Sequence, residues 1–95
     1  MTAPARRIVW QPAARDDVRR ILDYLLPLNP RAAFATADGL ERAADQLGEM
    51  PLRGRPGRLS GTRELLASAP YVLVYDVTEN EVRILRIWHA AQDRR

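Results

Sequence analysis

The segment Tyr71-Val72-Leu73-Val74-Tyr75-Asp76-Val77 constrains the fold most. It is built largely from β-branched and aromatic residues, which favour a pleated strand. Side chains alternate across a strand, so Tyr71, Leu73, Tyr75 and Val77 form one face and Val72 and Val74 belong to the other. Both sets are apolar, so both faces of this strand need cover. Glu79-Asn80 reads as a tight turn, and Val82 to His89 as the returning strand of a hairpin.

Upstream the apolar period changes. Ala14, Val18, Ile21, Leu22 and Leu25 recur at helical spacing, with Asp16 and Asp17 in the expected first turn and Pro27 as the stop. Asn29-Pro30 reads as an N-cap followed by Pro at the first helical position. Ala33, Ala37, Leu40, Ala44 and Leu47 then form a second stripe. Gly39 falls inside it, which suggests close approach to the first helix. Gly48 is placed as the C′ residue. So short a connection makes the helices antiparallel neighbours. Arg7 to Trp10 is a short opening strand ended by Pro12. Residues 51–62 form a basic loop carrying Arg53, Arg55 and Arg58, and Arg63 to Ala67 is a further strand.

The predicted order is β-α-α-β-β-β, an α+β fold. A two-helix antiparallel hairpin packs on one face of a mostly antiparallel sheet. Residues 1–95 read as a single domain, without linker, repeat or low-complexity segment. Two helices cover one sheet face. The face bearing Val72 and Val74 is therefore expected to lack cover of its own and to serve as a binding surface.

Composition narrows the chemistry. There is no cysteine, hence no zinc-thiolate site, disulfide or cysteine nucleophile. No apolar run is long enough for a membrane span, and Met1 to Trp10 has no signal-peptide core, so a cytoplasmic location is expected. All 15 basic residues are arginine and the net charge is +3. Two readings stand: a partner rich in carboxylate or phosphate, or the codon bias of an alanine-rich chain.

Several residues could carry chemistry. His89, the single histidine, ends the last strand; it reads as an acid/base or an anchor, or as a strand-end histidine bonded to backbone. No serine or cysteine partner makes a triad with it. Arg83 and Arg86, three apart, are expected on opposite faces, as a basic floor or as solvated edge charges. Asp76 and Glu64 fit cross-strand ion pairs better than a catalytic pair, and Glu79 and Glu81 read as solvated charge. Tyr71 and Tyr75 fit core packing better than base stacking. Gly54-Arg55-Pro56-Gly57 lacks the strand-to-helix context of a phosphate loop. No cofactor or metal is expected.

The runs GRLSGTRELL, PYVLVYDV and EVRILRIWHAAQD, behind the helices that begin QPAARDDVRRILDYL and NPRAAFATADGLERA, resemble the RelE/ParE superfamily of type II toxin–antitoxin toxins. The likeness spans about Arg7 to Asp93. It implies a bacterial toxin held inactive by a cognate antitoxin, whose acidic C-terminal segment wraps the toxin as extended chain and helix. It implies docking near Arg53, Arg55, Arg58, Arg63, Val72 and Val74, and a second docking groove beside the two helices.

RelE-like members cleave mRNA on the ribosome without a metal. A ribonuclease of that kind would draw on Arg63, Arg83, Arg86 and His89. Val72 and Leu65 stand where RelE-like strands carry basic residues, and Ala90-Ala91-Gln92-Asp93 replaces a basic terminal run. The ending ILRIWHAAQD is more similar to the ParE side, whose members bind and poison DNA gyrase. On that side Arg86, His89 and Gln92 are the expected target-binding residues, and no reaction is implied. A binding relic without toxicity is the third alternative.

Overall fold

The computed structural model describes residues 5–91. The elements are β1 (Arg7–Trp10), α1 (Pro12–Leu25), α2 (Pro30–Gln46), β2 (Arg55–Pro56), β3 (Arg63–Ser68), β4 (Tyr71–Val77) and β5 (Glu81–His89). They form an α+β fold in which one five-stranded sheet has the order β1-β5-β4-β3-β2. β1 runs parallel to β5; the other neighbours are antiparallel. The two-residue β2 inside the basic loop is an addition to the expected order.

Proline opens both helices, where its missing N–H leaves no bond unmade. Asn29 caps α2 as its spacing predicts, its Oδ1 accepting from the Ala32 amide at 3.1 Å. The first turn of α1 carries no acidic residue; Asp17 lies one turn further in and is buried. Ala14 of α1 and Leu40, Ala44 and Leu47 of α2 pack on Leu73, Tyr75, Val82, Ile84 and Ile87, which forms the core. Gly39 meets β3 rather than α1: a Cβ there would stand 3.0 Å from Ser68 Oγ. Glu81 is no freely solvated charge either, since its carboxylate binds Arg7 at 2.6 Å.

The second sheet face departs from expectation. Val72 and Val74 are 7% and 1% exposed, so this face is not bare. The chain after β2 folds over it. The Arg58 amide donates to Glu64 Oε2 at 3.0 Å, and the Arg58 guanidinium stands 5.8 Å from the centre of the Trp88 ring. Tyr75 fixes the start of this strap: its hydroxyl accepts from the Gly54 amide and donates to the Pro51 carbonyl, both at 2.8 Å. Arg63 Nη1 adds a bond to Gly54 O at 2.7 Å. Long-range bonds of this kind hold a loop against a sheet without a third helix.

Candidate functional site

Part of the exposed apolar surface, Leu66 and Leu52, lies along β3. β2 pairs only with Arg63 and Glu64. From Leu65 to Ser68 the outer edge of β3 has no strand beside it among the described residues, so backbone donors and acceptors are available there. Two clefts flank this edge. One, of about 260 Å3, lies against α2 and includes Arg42, Gln46, Arg53 and Leu65. The other, of about 370 Å3, opens on the far sheet face and includes Arg53, Arg55, Glu64, Leu66 and Val72. Leu66 is 60% exposed and Leu52 is exposed as well.

Of the residues expected to meet an antitoxin, Arg53, Arg55 and Val72 therefore gather at one place. Val74 is sealed beneath the sheet surface, Arg63 is occupied with the Gly54 carbonyl, and Arg58 lies over Trp88. Arg53 Nη1 donates to Gln46 Oε1 at 2.7 Å, which ties the loop to the end of α2. Arg55 faces the buried Glu64 carboxylate at 3.5 Å.

Arg83 and Arg86 are not on opposite faces by register. A bulge between Val74 and Tyr75 of β4 resets the pairing, so Asp76 opposes Arg83 and Val74 opposes Arg86. Arg83 forms a two-bond fork with Asp76, at 2.7 and 2.6 Å. Arg86 reaches over the sheet edge to Asp17 of α1. Hydrogen bonding to these carboxylates raises both guanidinium pKa values further.

Asp17 is the residue that sequence reasoning missed. It is 6% exposed and shared by Arg86, the more distant Arg20 and the Ile87 amide. The available signal was its place three residues after Ala14, inside the apolar stripe. Asp17, Arg20, Ile21, Tyr24, Tyr71 and His89 line a cleft of about 470 Å3 between α1 and the end of β5. There the His89 ring meets Tyr71 edge to face at 5.5 Å. His89 Nδ1 accepts from the Ala91 amide at 3.2 Å. Gln92 lies outside the described residues.

A third and larger cleft, of about 560 Å3, runs between α1, α2 and β1. Ile8, Trp10, Val18 and Ala37 line it with Glu41 and Asp45. It lies beside the two helices, where the resemblance implies a second docking groove. Among the described residues no group of three or more His, Cys, Asp or Glu side chains is placed to hold a metal ion.

Residues 8–94 match the family model described as the ParE toxin of the type II toxin-antitoxin system parDE. The chain belongs to the ParE toxin family. Among its relatives are Toxin RelE2 of Caulobacter vibrioides, 42% identical over 90% of this chain and 97% of that one, and the putative toxin Y4kP of Sinorhizobium fredii, 39% identical over 92% and 91%. The fold is similar to that in the structure titled the chromosomal ParDE TA system from P. aeruginosa. There the TM-score is 0.81 at 25% identity, covering 90% of this chain and 96% of that one. It is also similar to a chain of the RelBE2 toxin–antitoxin complex from Mycobacterium tuberculosis, with TM-score 0.61 and 29% identity over 94% of each. This ParE-family chain is the toxin of a type II toxin–antitoxin system.

Proposed function

We propose that this toxin acts by binding DNA gyrase and blocking its cycle, in the cytoplasm, and that a cognate antitoxin neutralises it. The observation that carries the gyrase reading is the state of the candidate catalytic groups. Arg83 and Arg86 are forked onto Asp76 and Asp17. Arg63 is spent on a backbone carbonyl, and His89 Nδ1 already accepts from the Ala91 amide. Phosphodiester cleavage needs cations placed at the scissile phosphate and a group able to take a proton. Binding a protein needs neither. Arg86, His89 and Gln92 remain the proposed target contacts.

The open edge of β3 supports the antitoxin half of the reading. An extended segment can add there as a further strand, with Leu66 and Leu52 beneath it. Arg42, Arg53 and Arg55 lie beside it for carboxylates. Purified toxin should inhibit gyrase supercoiling, and the antitoxin should relieve that inhibition. Undiminished supercoiling at micromolar excess of toxin removes the gyrase reading.

The names RelE2 and RelE1 among the relatives favour a second reading, ribosome-dependent cleavage of mRNA. Primer extension on ribosome-bound message separates the two, because cuts confined to the ribosomal A site appear only under the second. Growth arrest on expression without antitoxin distinguishes both from a non-toxic binding relic.

A further inference from the structure

Tyr71 opens β4 with 8% of its surface exposed. Among the described residues its hydroxyl has no hydrogen-bond partner, whereas the Tyr75 hydroxyl binds both Gly54 and Pro51. Among the same residues no polar side-chain atom is both sealed from solvent and without a partner, so the Tyr71 hydroxyl reaches solvent. Tyr71 lines the cleft of about 470 Å3 between α1 and the end of β5, where solvent comes to it. A phenol buried over nine-tenths of its surface, with its hydroxyl bonded to nothing in the fold, is placed to meet a group from outside.

The cleft has a floor and a wall. Tyr71 and His89 oppose each other across β4 and β5, with their rings edge to face, and Ile87 lies two residues before His89 on the same strand face. Asp17, Arg20, Ile21 and Tyr24 recur at helical spacing along α1 and form the wall. The Tyr24 ring is exposed. A flat ring thus has aromatic and aliphatic surface to lie against.

Polar groups select the charge of the occupant. The Asp17 acceptors are already in use: Oδ2 takes Arg86 Nε and the Ile87 amide, and Oδ1 takes Arg86 Nη2 at 3.1 Å with Arg20 at 3.5 Å. Arg86 balances the Asp17 charge, which leaves the exposed Arg20, held only by that long contact, as the surplus cation. The cleft therefore presents a cation and a hydroxyl, with no surplus carboxylate. We infer that it binds a small planar ring carrying an anionic group, a carboxylate or a phosphate. The ring lies against Tyr71, His89 and Tyr24, the Tyr71 hydroxyl donates to an acceptor on the ligand, and Arg20 meets the anion. The volume lies within the range of about 300–1,000 Å3 of small-molecule sites. Aromatic acids and nucleoside monophosphates share this chemistry. The inference stands apart from the choice between gyrase and ribosome and does not rest on it.

Isothermal titration of the full chain with 4-hydroxybenzoate and with adenosine monophosphate separates the two sources. Inorganic phosphate supplies the anion without a ring; phenol and adenosine supply the ring without an anion. At least one of the two ring-bearing anions should saturate with a Kd of about 1 mM or tighter, and which one does so names the source. The separate parts should bind at least tenfold more weakly. Tyr71→Phe keeps the ring and removes only the hydroxyl. It should weaken the ligand about two- to tenfold and leave the melting temperature unchanged, because that hydroxyl bonds nothing in the fold. Arg20→Gln should weaken the ligand about tenfold and reduce the dependence of its binding on salt. No saturation by either ring-bearing anion, phosphate alone binding as tightly, or unchanged affinity in either variant overturns the inference. A lower melting temperature in Tyr71→Phe with the ligand unaffected would give the hydroxyl a structural role and overturns it as well.

Discussion

Asp17 and Arg86 form a two-bond fork between α1 and β5, at 2.8 and 3.1 Å, and the same carboxylate accepts the Ile87 amide at 2.9 Å. The position of this contact explains it. β1 ends at Trp10, opposite Ile84, and the chain turns away into α1. The next outward-facing amide of β5 is Ile87, which has lost its strand partner. Asp17, brought over the edge by α1, takes the place of that partner. Asp17→Ala should therefore destabilise the fold by about 2–3 kcal/mol, the range for removing a charged acceptor from a buried amide. The partly exposed Arg86 side chain moderates the ion-pair share of that loss. Asp17→Asn, which keeps an acceptor, should lose less. Urea denaturation of Asp17→Ala, Arg86→Ala and the double variant measures the coupling; additive losses would show that the fork contributes nothing beyond the amide bond.

Tyr75 gives the fold an alkaline limit. Burial raises its phenol pKa above the ordinary 10.0, and the Gly54 amide and the Arg63 charge oppose that rise in part. A folded-state pKa above the unfolded one means that the neutral phenol is preferred in the fold. Its contribution to stability is complete below pH 10 and is lost as pH rises through the folded value. Denaturation midpoints of the natural chain should therefore fall as pH rises above about 10. Tyr75→Phe should flatten that slope and lower stability by about 1–3 kcal/mol at neutral pH through the loss of the bonds to Gly54 and Pro51. An equal alkaline slope in both chains would place its origin elsewhere.

These two contacts also mark how far the sequence could be read. The helices, the element order apart from β2, and the hairpin follow from local period and turn chemistry, and Asn29 and Pro30 act where their chemistry predicts. Asp17 is legible only in part. An acidic residue within an apolar stripe signals a buried partner, but which of 15 arginines answers it depends on where β1 stops. The bulge opposite Tyr75 moved Arg86 to the same register side as Arg83, and one extra residue in a ladder leaves no trace in a period-2 pattern. Cover over Val72 and Val74 comes from a loop whose path is set by Tyr75, 21 residues from the Gly54 amide it binds, together with the nearer Glu64. An open apolar face was thus expected on the sheet, whereas in the structure that face is covered and β3 keeps an edge without a strand beside it from Leu65 to Ser68, among the described residues.

Two glycines should respond differently to the same substitution. At Gly48 an added Cβ would lie 2.7 Å from the Arg6 carbonyl oxygen, and the Gly48 carbonyl itself accepts the Arg6 amide at 2.9 Å. Backbone meets backbone there, so Gly48→Ala should cost about 2–3 kcal/mol and loosen β1. Gly61 has φ +81 with open space around it. Gly61→Ala strains only its own backbone, at about 1 kcal/mol. Thermal melts compare them directly, at roughly 4–8 °C per kcal/mol for a chain of this size. A smaller shift for Gly48→Ala would mean that the approach of residue 6 to the end of α2 is easily relaxed.

The edge of β3 makes a prediction about the antitoxin that separates surface from core. Leu66 is exposed in the free toxin, so Leu66→Arg should leave thermal stability within about 0.5 kcal/mol, as for surface changes generally. If an extended antitoxin segment lies along this edge, the same change places an uncompensated charge under it and should weaken the complex at least tenfold, or about 1.4 kcal/mol. Arg53→Glu should weaken it as well, and should also reduce its dependence on salt, because an exposed arginine–carboxylate contact is screened by added ions. Isothermal titration at two salt concentrations, with the cognate antitoxin, reads both effects. Full affinity in Leu66→Arg would show that the partner bypasses this edge.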